Sequence, residues 1–169
     1  MTEGEAHVLP DLLSEGLKVV FCGTAAGARS AQVGAYYAGQ GNKFWKILFQ
    51  IGLTPRLLEP GEFWLLTQYG IGLTDIAKTY SGADMGLKRA HFDAEGLRLK
   101  IEKFAPTAFA FNGKKAARSF YATDVPYGIQ QKILPVSTTG FVLPSTSGAA
   151  SGFWDIRYWQ QLADFLKER

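Results

Sequence analysis

Short apolar runs and stretches of helical periodicity alternate along the chain. The run from Leu17 to Cys22 ends at Gly23 and predicts a buried strand. From Phe44 to Ile51 the apolar positions recur at the spacing of an amphipathic helix, and Gly52 is suited to end it. Strands that alternate with helices indicate an α/β sandwich, in which helices cover both faces of a largely parallel sheet. The same patterns predict further strands at 71–75, 107–111, 133–136 and 141–143, a surface loop at 79–89, and helices at 59–68, 97–104, 116–120 and 156–166.

The length and composition favour a single domain over residues 1–169, with residues 1–10 as a loose leader. Hydrophobic residues make up 47% of the chain and charged residues 20%, which is typical of a packed globule. Lys and Arg number 18 against 15 Asp and Glu, so the net charge of +3 excludes a polybasic tail but allows a local phosphate-binding patch. Cys22 is the only cysteine, which excludes an intramolecular disulfide and a cysteine-based zinc site. With no signal peptide and no apolar run long enough to span a membrane, we expect a cytoplasmic protein.

Ligands of such sheets bind beyond the carboxyl ends of the strands, so the segments that follow the strands are the first functional candidates. The small residues of 23–27 permit close backbone approach to a carbonyl or phosphate, or they simply form a tight turn. The hydroxyl-rich segment 144–151 is suited to phosphate binding, or else Ser151 caps the last helix. Two more such segments are 73–75 and 112–114.

Individual side chains near these segments also have alternative interpretations. Tyr36 and Tyr37 lie in a glycine-flanked stretch, where an aromatic ring either stacks on a base or anchors the loop in the core. Asn112 is interpreted as a residue that holds neighbouring loops by hydrogen bonds. Neither His7 nor His91 is placed to pair with a nucleophile, so a hydrolase triad is not predicted. Four lysines in this region are either solvated or available to phosphates: Lys43, Lys46, Lys114 and Lys115.

Several separate motifs fall in register with one known family. They are Leu17–Gly23 with the small-residue loop that follows, Asn42–Lys46, Tyr69–Thr74, Phe111–Lys114, and Val142–Pro144 with Ser147 and Gly148. In order and spacing this series resembles the mismatch-specific uracil DNA glycosylases over roughly residues 10–168. The resemblance implies a three-layer sandwich with a central, mainly parallel four-stranded sheet, a DNA groove across the strand ends, and a pocket for a flipped-out base. It implies no metal and no organic cofactor.

Two motifs depart from the family pattern. Members carry Gly-Ile-Asn-Pro-Gly in the first motif, where the Asn positions the attacking water, whereas this chain has Gly-Thr-Ala-Ala-Gly at 23–27. Ala25 therefore orients no water. In the second motif the family's Asn-Pro-Ser-Gly-Leu corresponds to 145–149, and Ala149 replaces the Leu that fills the vacated stack. Because a methyl group is a poor wedge, we expect little preference for the opposing base and some action on single strands.

The resemblance also assigns binding residues. The aromatic side chain that stacks on the flipped uracil maps to Tyr37, and the backbone N–H groups of Thr24 and Tyr37 are expected to bind uracil oxygens. The predicted base-binding residues are Gly23, Thr24, Ala25, Tyr37 and Asn112. The predicted DNA-binding residues are Lys43, Lys46, Lys114, Ser145, Thr146, Ser147, Gly148 and Ala149.

Asp75 stands where mismatch-specific members have a Lys, at a predicted strand end that faces the same pocket. A carboxylate there would stabilise an oxocarbenium-like sugar and hold or deprotonate a water, so we predict that Asp75 is the catalytic residue in place of the missing Asn. Alternatively, Asp75 caps a helix that begins near Ile76, or it pairs with Lys78.

The sequence thus predicts a monomeric, monofunctional uracil DNA glycosylase that hydrolyses the N-glycosyl bond and leaves an abasic site. Its expected partners are uracil-containing DNA, double-stranded and also single-stranded, and the abasic product; no membrane partner is expected. A non-catalytic protein that binds uracil or abasic DNA is the alternative, because the first-motif Asn is missing. A small α/β nucleotide-binding enzyme is a third hypothesis.

Overall fold

A sheet of five strands runs through the part of the chain that the computed structural model describes, which is residues 6–82, 86–131 and 134–169. The strands are β1 (Val19–Gly23), β2 (Ile71–Asp75), β3 (Ala108–Asn112), β4 (Gly128–Ile129) and β5 (Thr139–Leu143). Their order is β2-β1-β3-β5-β4. The first four in this order run parallel to their neighbours, and the short edge strand β4 is antiparallel to β5. The expected parallel sheet is confirmed, with five strands in place of four.

Helices flank this sheet at most of the predicted positions. The α-helices of the described residues are α1 (Ala28–Val33), α2 (Phe44–Gln50), α3 (Ala94–Phe104), α4 (Lys114–Tyr121) and α5 (Ile156–Lys167). In addition, 3-10 helices span Pro60–Tyr69, Arg89–His91, Pro135–Ser137 and Gly148–Phe153. Helix α1 was not predicted, because its sequence carries no apolar periodicity.

The core lies in two layers because successive side chains of a strand point to opposite faces. On one face Phe21 of β1 packs against Phe44 of α2 and Trp159 of α5, with ring centroids 5.3 and 5.5 Å apart. On the other face Val20 belongs to a second cluster, in which Ile101 of α3 is buried. This arrangement is the α/β sandwich that the alternation of elements predicts.

The strand predicted at 133–136 is wrong for residues 134–136, and Ile133 lies outside the described residues. Pro135 has no N–H to donate to a sheet, and Val136 adopts a left-handed φ of 56°, so the segment forms a 3-10 turn instead. Gly128 and Ile129 form the antiparallel edge strand. Residues 83–85 of the predicted loop at 79–89 also lie outside the described residues.

The expected loose leader differs from the structure at residues 8–10; residues 1–5 lie outside the described residues. Leu9 is only 1% exposed, and the Val8 N–H donates to the Lys78 carbonyl at 2.8 Å. Leu12 then exchanges two backbone hydrogen bonds of 2.9 Å with Leu73 of β2. This segment therefore packs along the free edge of β2.

No helix of the described residues is both long enough and apolar enough to cross a membrane. The four parallel strands end at the same edge of the sheet, where Gly23 lies beside Asp75 and Asn112 beside Leu143. The segments that the sequence analysis selected therefore meet at one place.

Candidate functional site

Asp75 is the last residue of β2 and is only 4% exposed. Its carboxylate lies against the backbone of Gly23, so that a Cβ built on Gly23 would be 2.7 Å from Asp75 Oδ1. Burial raises the pKa of Asp75 to about 6, against the opposing effects of Lys78, Lys100 and a backbone hydrogen bond from Gly23. A carboxylate with this pKa is ionised at neutral pH and is basic enough to take a proton from water.

A charged cluster lies behind Asp75. Lys78 is only 7% exposed, and its Nζ lies 2.9 Å from Oδ1 of Asp11. Oδ2 of Asp11 accepts from Nζ of Lys100 at 2.6 Å, and Oδ1 accepts from the Thr74 hydroxyl at 2.7 Å. The pKa of Asp11 is lowered despite burial, because both lysines and Thr74 stabilise its charged form. Two cations thus surround one carboxylate, and the excess positive charge favours ionisation of Asp75.

Neither structural alternative for Asp75 holds. No helix begins at Ile76, where the chain makes a bend and then a turn, so Asp75 is not a helix cap. Among the residues that the structure describes, the ion-pair partner of Lys78 is Asp11. The Asp75 carboxylate feels the charge of Lys78 without forming the predicted pair, which leaves it for another role.

Tyr37 approaches the same point from the loop between α1 and α2. Its hydroxyl oxygen would lie 3.2 Å from a Cβ on Gly23. That oxygen is buried and has no hydrogen-bond partner among the described residues. Burial raises the pKa of Tyr37 well above its ordinary value, so the hydroxyl keeps its proton. One face of the ring packs on Phe44, with centroids 4.1 Å apart, and the residue is only half-buried.

The backbone of Tyr37 is held in a left-handed conformation, with φ at 53°. This conformation is uncommon for an aromatic residue and costs roughly 1 kcal/mol. Buried Ser30 compensates by accepting the Ala38 N–H on its hydroxyl at 3.0 Å, while the Gly34 N–H donates to the Ser30 carbonyl at 2.8 Å. The loop is thereby fixed with the tyrosine hydroxyl aimed at Gly23.

The small-residue segment 23–27 is held against the segment that follows β2. The N–H of Ile76 donates to the Gly23 carbonyl at 3.0 Å, and the N–H of Ala77 donates to the Thr24 carbonyl at 2.7 Å. Thr24 and Ala25 are half-buried beside Asp75. The first motif and Asp75 therefore form one rigid unit, in which the methyl group of Ala25 provides no polar group.

Asn112, at the end of β3, holds the second loop. Its Nδ2 donates to the Thr146 hydroxyl at 3.0 Å, and its Oδ1 accepts the Thr146 N–H at 3.0 Å. These bonds match the loop-holding interpretation of Asn112. Burial and the Asp75 charge raise the pKa of Tyr37 and the nearby Asn112 amide lowers it, although the two side chains do not meet the geometry of a hydrogen bond.

The segment 144–151 is already rich in internal hydrogen bonds. The hydroxyl oxygen of Ser145 accepts the Ser147 N–H at 3.2 Å, and that of Ser147 accepts the Ala149 N–H at 3.3 Å. Both hydroxyls keep a proton that can be donated to an outside acceptor such as a phosphate. Gly148 and Ala149 are exposed at the turn of this loop.

Ser151 does not cap the last helix, contrary to one of our expectations. The N-cap of α5 is Asp155, whose carboxylate accepts the Arg157 N–H at 3.0 Å. The Ser151 hydroxyl instead accepts from Nζ of Lys43 at 3.0 Å. Lys43 also lies over the Trp154 ring, 5.5 Å from its centroid, so it links the second loop to the start of α2.

The remaining predicted cations are spread along this edge. Lys46 is exposed on α2, while the ammonium of Lys114 at the start of α4 lies 4.5 Å from the centroid of the Tyr127 ring. The structure thus brings Asp75, Gly23 and Tyr37 into direct proximity, while the lysines and the serine-rich loop lie around them. Within the described residues, no three His, Cys, Asp or Glu side chains gather as a metal site.

Two surface cavities lie away from Asp75. One, of about 140 Å³, is lined by Lys18, Tyr69, Leu166 and their neighbours at the opposite end of the strands. The other, of about 420 Å³, lies between β4, β5 and α5. Neither carries the cluster of buried polar groups found at Asp75.

Sequence reasoning missed Asp11, Lys78 and Lys100 as part of the site. Of these, only Lys78 was considered from the sequence, as an ion-pair partner of Asp75 in one alternative. Their contacts join segments far apart in the chain, and local periodicity carries no signal for such contacts.

Comparison with known proteins gives a family and a fold for this chain. The model of the uracil DNA glycosylase superfamily matches residues 10–163. The solution NMR structure of a candidate uracil DNA glycosylase from Methanosarcina acetivorans is similar in fold, with a TM-score of 0.60 and 23% sequence identity. The match covers 94% of this chain and 95% of that one.

Proposed function

We propose that this chain, which belongs to the uracil DNA glycosylase superfamily, is a monofunctional enzyme that removes uracil from DNA in the manner of the mismatch-specific members. One observation carries the proposal. A buried carboxylate, Asp75, stands without an ion-pair partner among the described residues at the strand edge where glycosylase motifs converge. It supplies the group that the Ala25 substitution took away.

The reaction assigned to Asp75 is hydrolysis of the bond between C1′ of the deoxyribose and the base. The oxygen of a water bonds to C1′, the C1′–N bond breaks, and its electron pair leaves with uracil. Asp75 accepts the proton of that water, and its negative charge stabilises the cationic sugar as the bond lengthens. The products are free uracil and an abasic site.

Base extrusion is required because C1′ and its bond to the base cannot be attacked inside the stack. The ring of Tyr37, a half-buried residue that packs on Phe44, is the proposed stacking surface for the extruded uracil. The backbone N–H groups of Thr24 and Tyr37 are the proposed donors to the uracil oxygens, and Gly23 and Ala25 leave room for the base. Asn112 shapes the pocket through Thr146.

DNA is held, in this proposal, by charge and hydroxyl groups around the pocket. Phosphates are contacted by exposed Lys46, by Lys114, and by the loop that Lys43 anchors. The free hydroxyl protons of Ser145 and Ser147 donate to phosphate oxygens, while Thr146, Gly148 and Ala149 shape the loop. Both duplex and single-stranded uracil DNA are substrates.

A duplex oligonucleotide with one uracil tests this function. We expect the parent protein to convert it to an abasic product that alkali cleaves at that position. The matched oligonucleotide with thymine should stay intact. Binding to uracil DNA without any alkali-sensitive product would instead support a non-catalytic lesion-binding protein. The observation in favour of that alternative is Ala25, which stands where the family has the catalytic Asn. Tight binding of a mononucleotide without DNA would support the third hypothesis.

A further inference from the structure

Phe153 is the most exposed large apolar side chain among the described residues, at 72%. It ends the 3-10 helix Gly148–Phe153, in the loop that follows β5. Since β5 and β2 are in the parallel part of the sheet, this loop lies at the edge where Asp75 lies. An exposed phenylalanine at this edge is not explained by the core, by the charged cluster or by the base pocket.

Trp154, which follows Phe153, is anchored to the body of the protein. The Trp154 ring packs on buried Trp159, with centroids 6.0 Å apart, and the Trp154 backbone N–H donates to the Ser151 carbonyl at 3.2 Å. Ser151 accepts from Lys43, and Lys43 also lies over the Trp154 ring. The contacts of Ser151 and Trp154 hold this loop near Phe153, whose side chain is presented to solvent.

The loop of Phe153 also touches the loop of the base pocket. A Cβ on Gly41 would lie 3.9 Å from Cα of Gly148, and the Lys43 N–H donates to the Thr146 carbonyl at 2.9 Å. Gly41 is four residues from Tyr37, so the loop that carries Phe153 is in contact with the loop that carries Tyr37. The position expected to carry a wedge, Ala149, offers only a methyl group.

We infer that Phe153 is the residue that enters the base stack when the uracil is extruded. An apolar ring inserted between base steps offsets part of the unstacking cost, and its own exposure to water ends at the same moment. The inference rests on the proposed function, because it assigns a step that precedes hydrolysis. Phe153 is not a catalytic residue, since it touches neither C1′ nor the water.

The experiment compares single-turnover uracil release from a duplex with release from the same strand alone, where no partner base has to be replaced. Phe153→Ala should slow release from the duplex by at least about tenfold and change release from the single strand less than about twofold. Phe153→Leu, which keeps an apolar wedge, should retain most of the duplex activity. Leu99→Ala, which removes an exposed apolar side chain on α3, should change neither rate.

A 2-aminopurine base beside the uracil provides a second readout that does not need hydrolysis. Its fluorescence should rise when the parent binds the duplex and should rise much less with Phe153→Ala. Equal rates of parent and Phe153→Ala on the duplex, or equal losses on both substrates, would overturn the role of Phe153 while uracil excision by the parent stands. If the parent releases no uracil but shows the Phe153-dependent fluorescence rise, the proposed function fails and the wedge stands. If it shows neither, both fail.

Discussion

The carboxylate of Asp75 and the hydroxyl of Tyr37 converge on the same face of Gly23, although they come from different segments of the chain. A Cβ on Gly23 would lie 2.7 Å from the first and 3.2 Å from the second, so only glycine leaves both side chains in place. The hydroxyl has no partner among the described residues and the carboxylate has no ion pair there. A carboxylate without an ion pair and a hydroxyl thus lie side by side against the Gly23 backbone, which places two polar groups where a water or a base is proposed to bind.

Loss of the hydroxyl is expected to leave the stability of the protein unchanged at Tyr37 and to lower it at Tyr36. Tyr37→Phe removes a buried hydroxyl that has no partner in the described residues, so thermal unfolding should show no loss of stability, and most uracil release should remain. Tyr36→Phe removes a hydroxyl that donates to the Pro10 carbonyl at 2.9 Å and accepts from Lys78 at 3.0 Å. It should cost about 1 kcal/mol or more. Calorimetry of both variants checks the contrast.

Removal of the Tyr37 ring tests base stacking. Tyr37→Ala should weaken binding of uracil DNA by about 1 to 3 kcal/mol, the range for stacking of a base on an aromatic ring. A titration with a fluorescently labelled uracil duplex measures this change, and circular dichroism verifies the fold. Unchanged binding and release would remove Tyr37 from the base pocket.

Uracil release should depend on pH through Asp75. Because the pKa of Asp75 is about 6 and the ionised form is the active one, the single-turnover rate should be constant above pH 7. It should then fall about tenfold per unit well below pH 6. Lys78→Met should move this acidic limb of the profile to higher pH, because the charge of Lys78 lowers the pKa of Asp75. The charge of Asp11, which raises that pKa, would remain. Lys100→Met should move the limb in the same direction by a smaller amount, because Lys100 has the weaker effect.

If the acidic limb of the pH–rate profile stays in place in Lys78→Met, a group other than Asp75 titrates. Lys100→Met is the comparison variant, because Lys78 and Lys100 contact the same Asp11 carboxylate. A shift with Lys78→Met alone is compatible with the account, whereas a shift with Lys100→Met alone is not.

Asp75 should also lower the stability of the protein at neutral pH. Its pKa rises from an ordinary 3.8 to about 6 on folding, so the folded chain binds this proton more tightly than the unfolded chain does. The ionised carboxylate therefore costs about 3 kcal/mol above pH 7, and this cost disappears below pH 4. Denaturant unfolding of Asp75→Asn and the parent should show the variant more stable at pH 8, with the difference vanishing near pH 4. A variant less stable than the parent at pH 8 would mean that the carboxylate has a structural role.

Binding of DNA should fall steeply with salt despite the small net charge, because affinity depends on local phosphate contacts. Lys46→Ala should reduce the slope of log affinity against log salt by about one. Lys167→Ala, which changes a lysine beside the cavity at the opposite end of the strands, should leave the slope unchanged. Equal slopes for parent and Lys46→Ala would exclude Lys46 from the phosphate contacts.

Much of the sheet could be predicted from the sequence because several strands are apolar runs, such as the run that ends at Gly23. Asp75 ends a shorter segment, in which the apolar residues Ile71 and Leu73 alternate with Gly72 and Thr74. The edge strand at Gly128 was missed because two residues carry no periodicity. The strand at 133–136 was wrongly predicted because the sequence there is a short apolar run, although Pro135 interrupts it. Periodicity reports the local environment of a residue and not its distant contacts.

The charged cluster and the exposure of Phe153 could not be predicted from the sequence. Asp11 meets Lys78 and Lys100 because the segment that contains Leu12 pairs with β2, and a single acidic residue has no local signature of such contacts. Phe153 could equally have been a core residue, because the sequence does not distinguish an exposed phenylalanine from a buried one. The structure shows that Phe153 is 72% exposed and therefore not a core residue.

The most direct test of the account is single-turnover release of uracil by Asp75→Asn from a duplex with one uracil, with duplex affinity measured in parallel. Asp75→Asn and Asp75→Ala should each slow release by at least about a hundredfold while affinity stays within about threefold of the parent. Ala25→Asn in the Asp75→Ala background should restore part of the rate, because both side chains address the same water. If Asp75→Asn releases uracil as fast as the parent, Asp75 is not the catalytic residue, and hydrolysis must depend on backbone groups at Thr24 and Tyr37 alone.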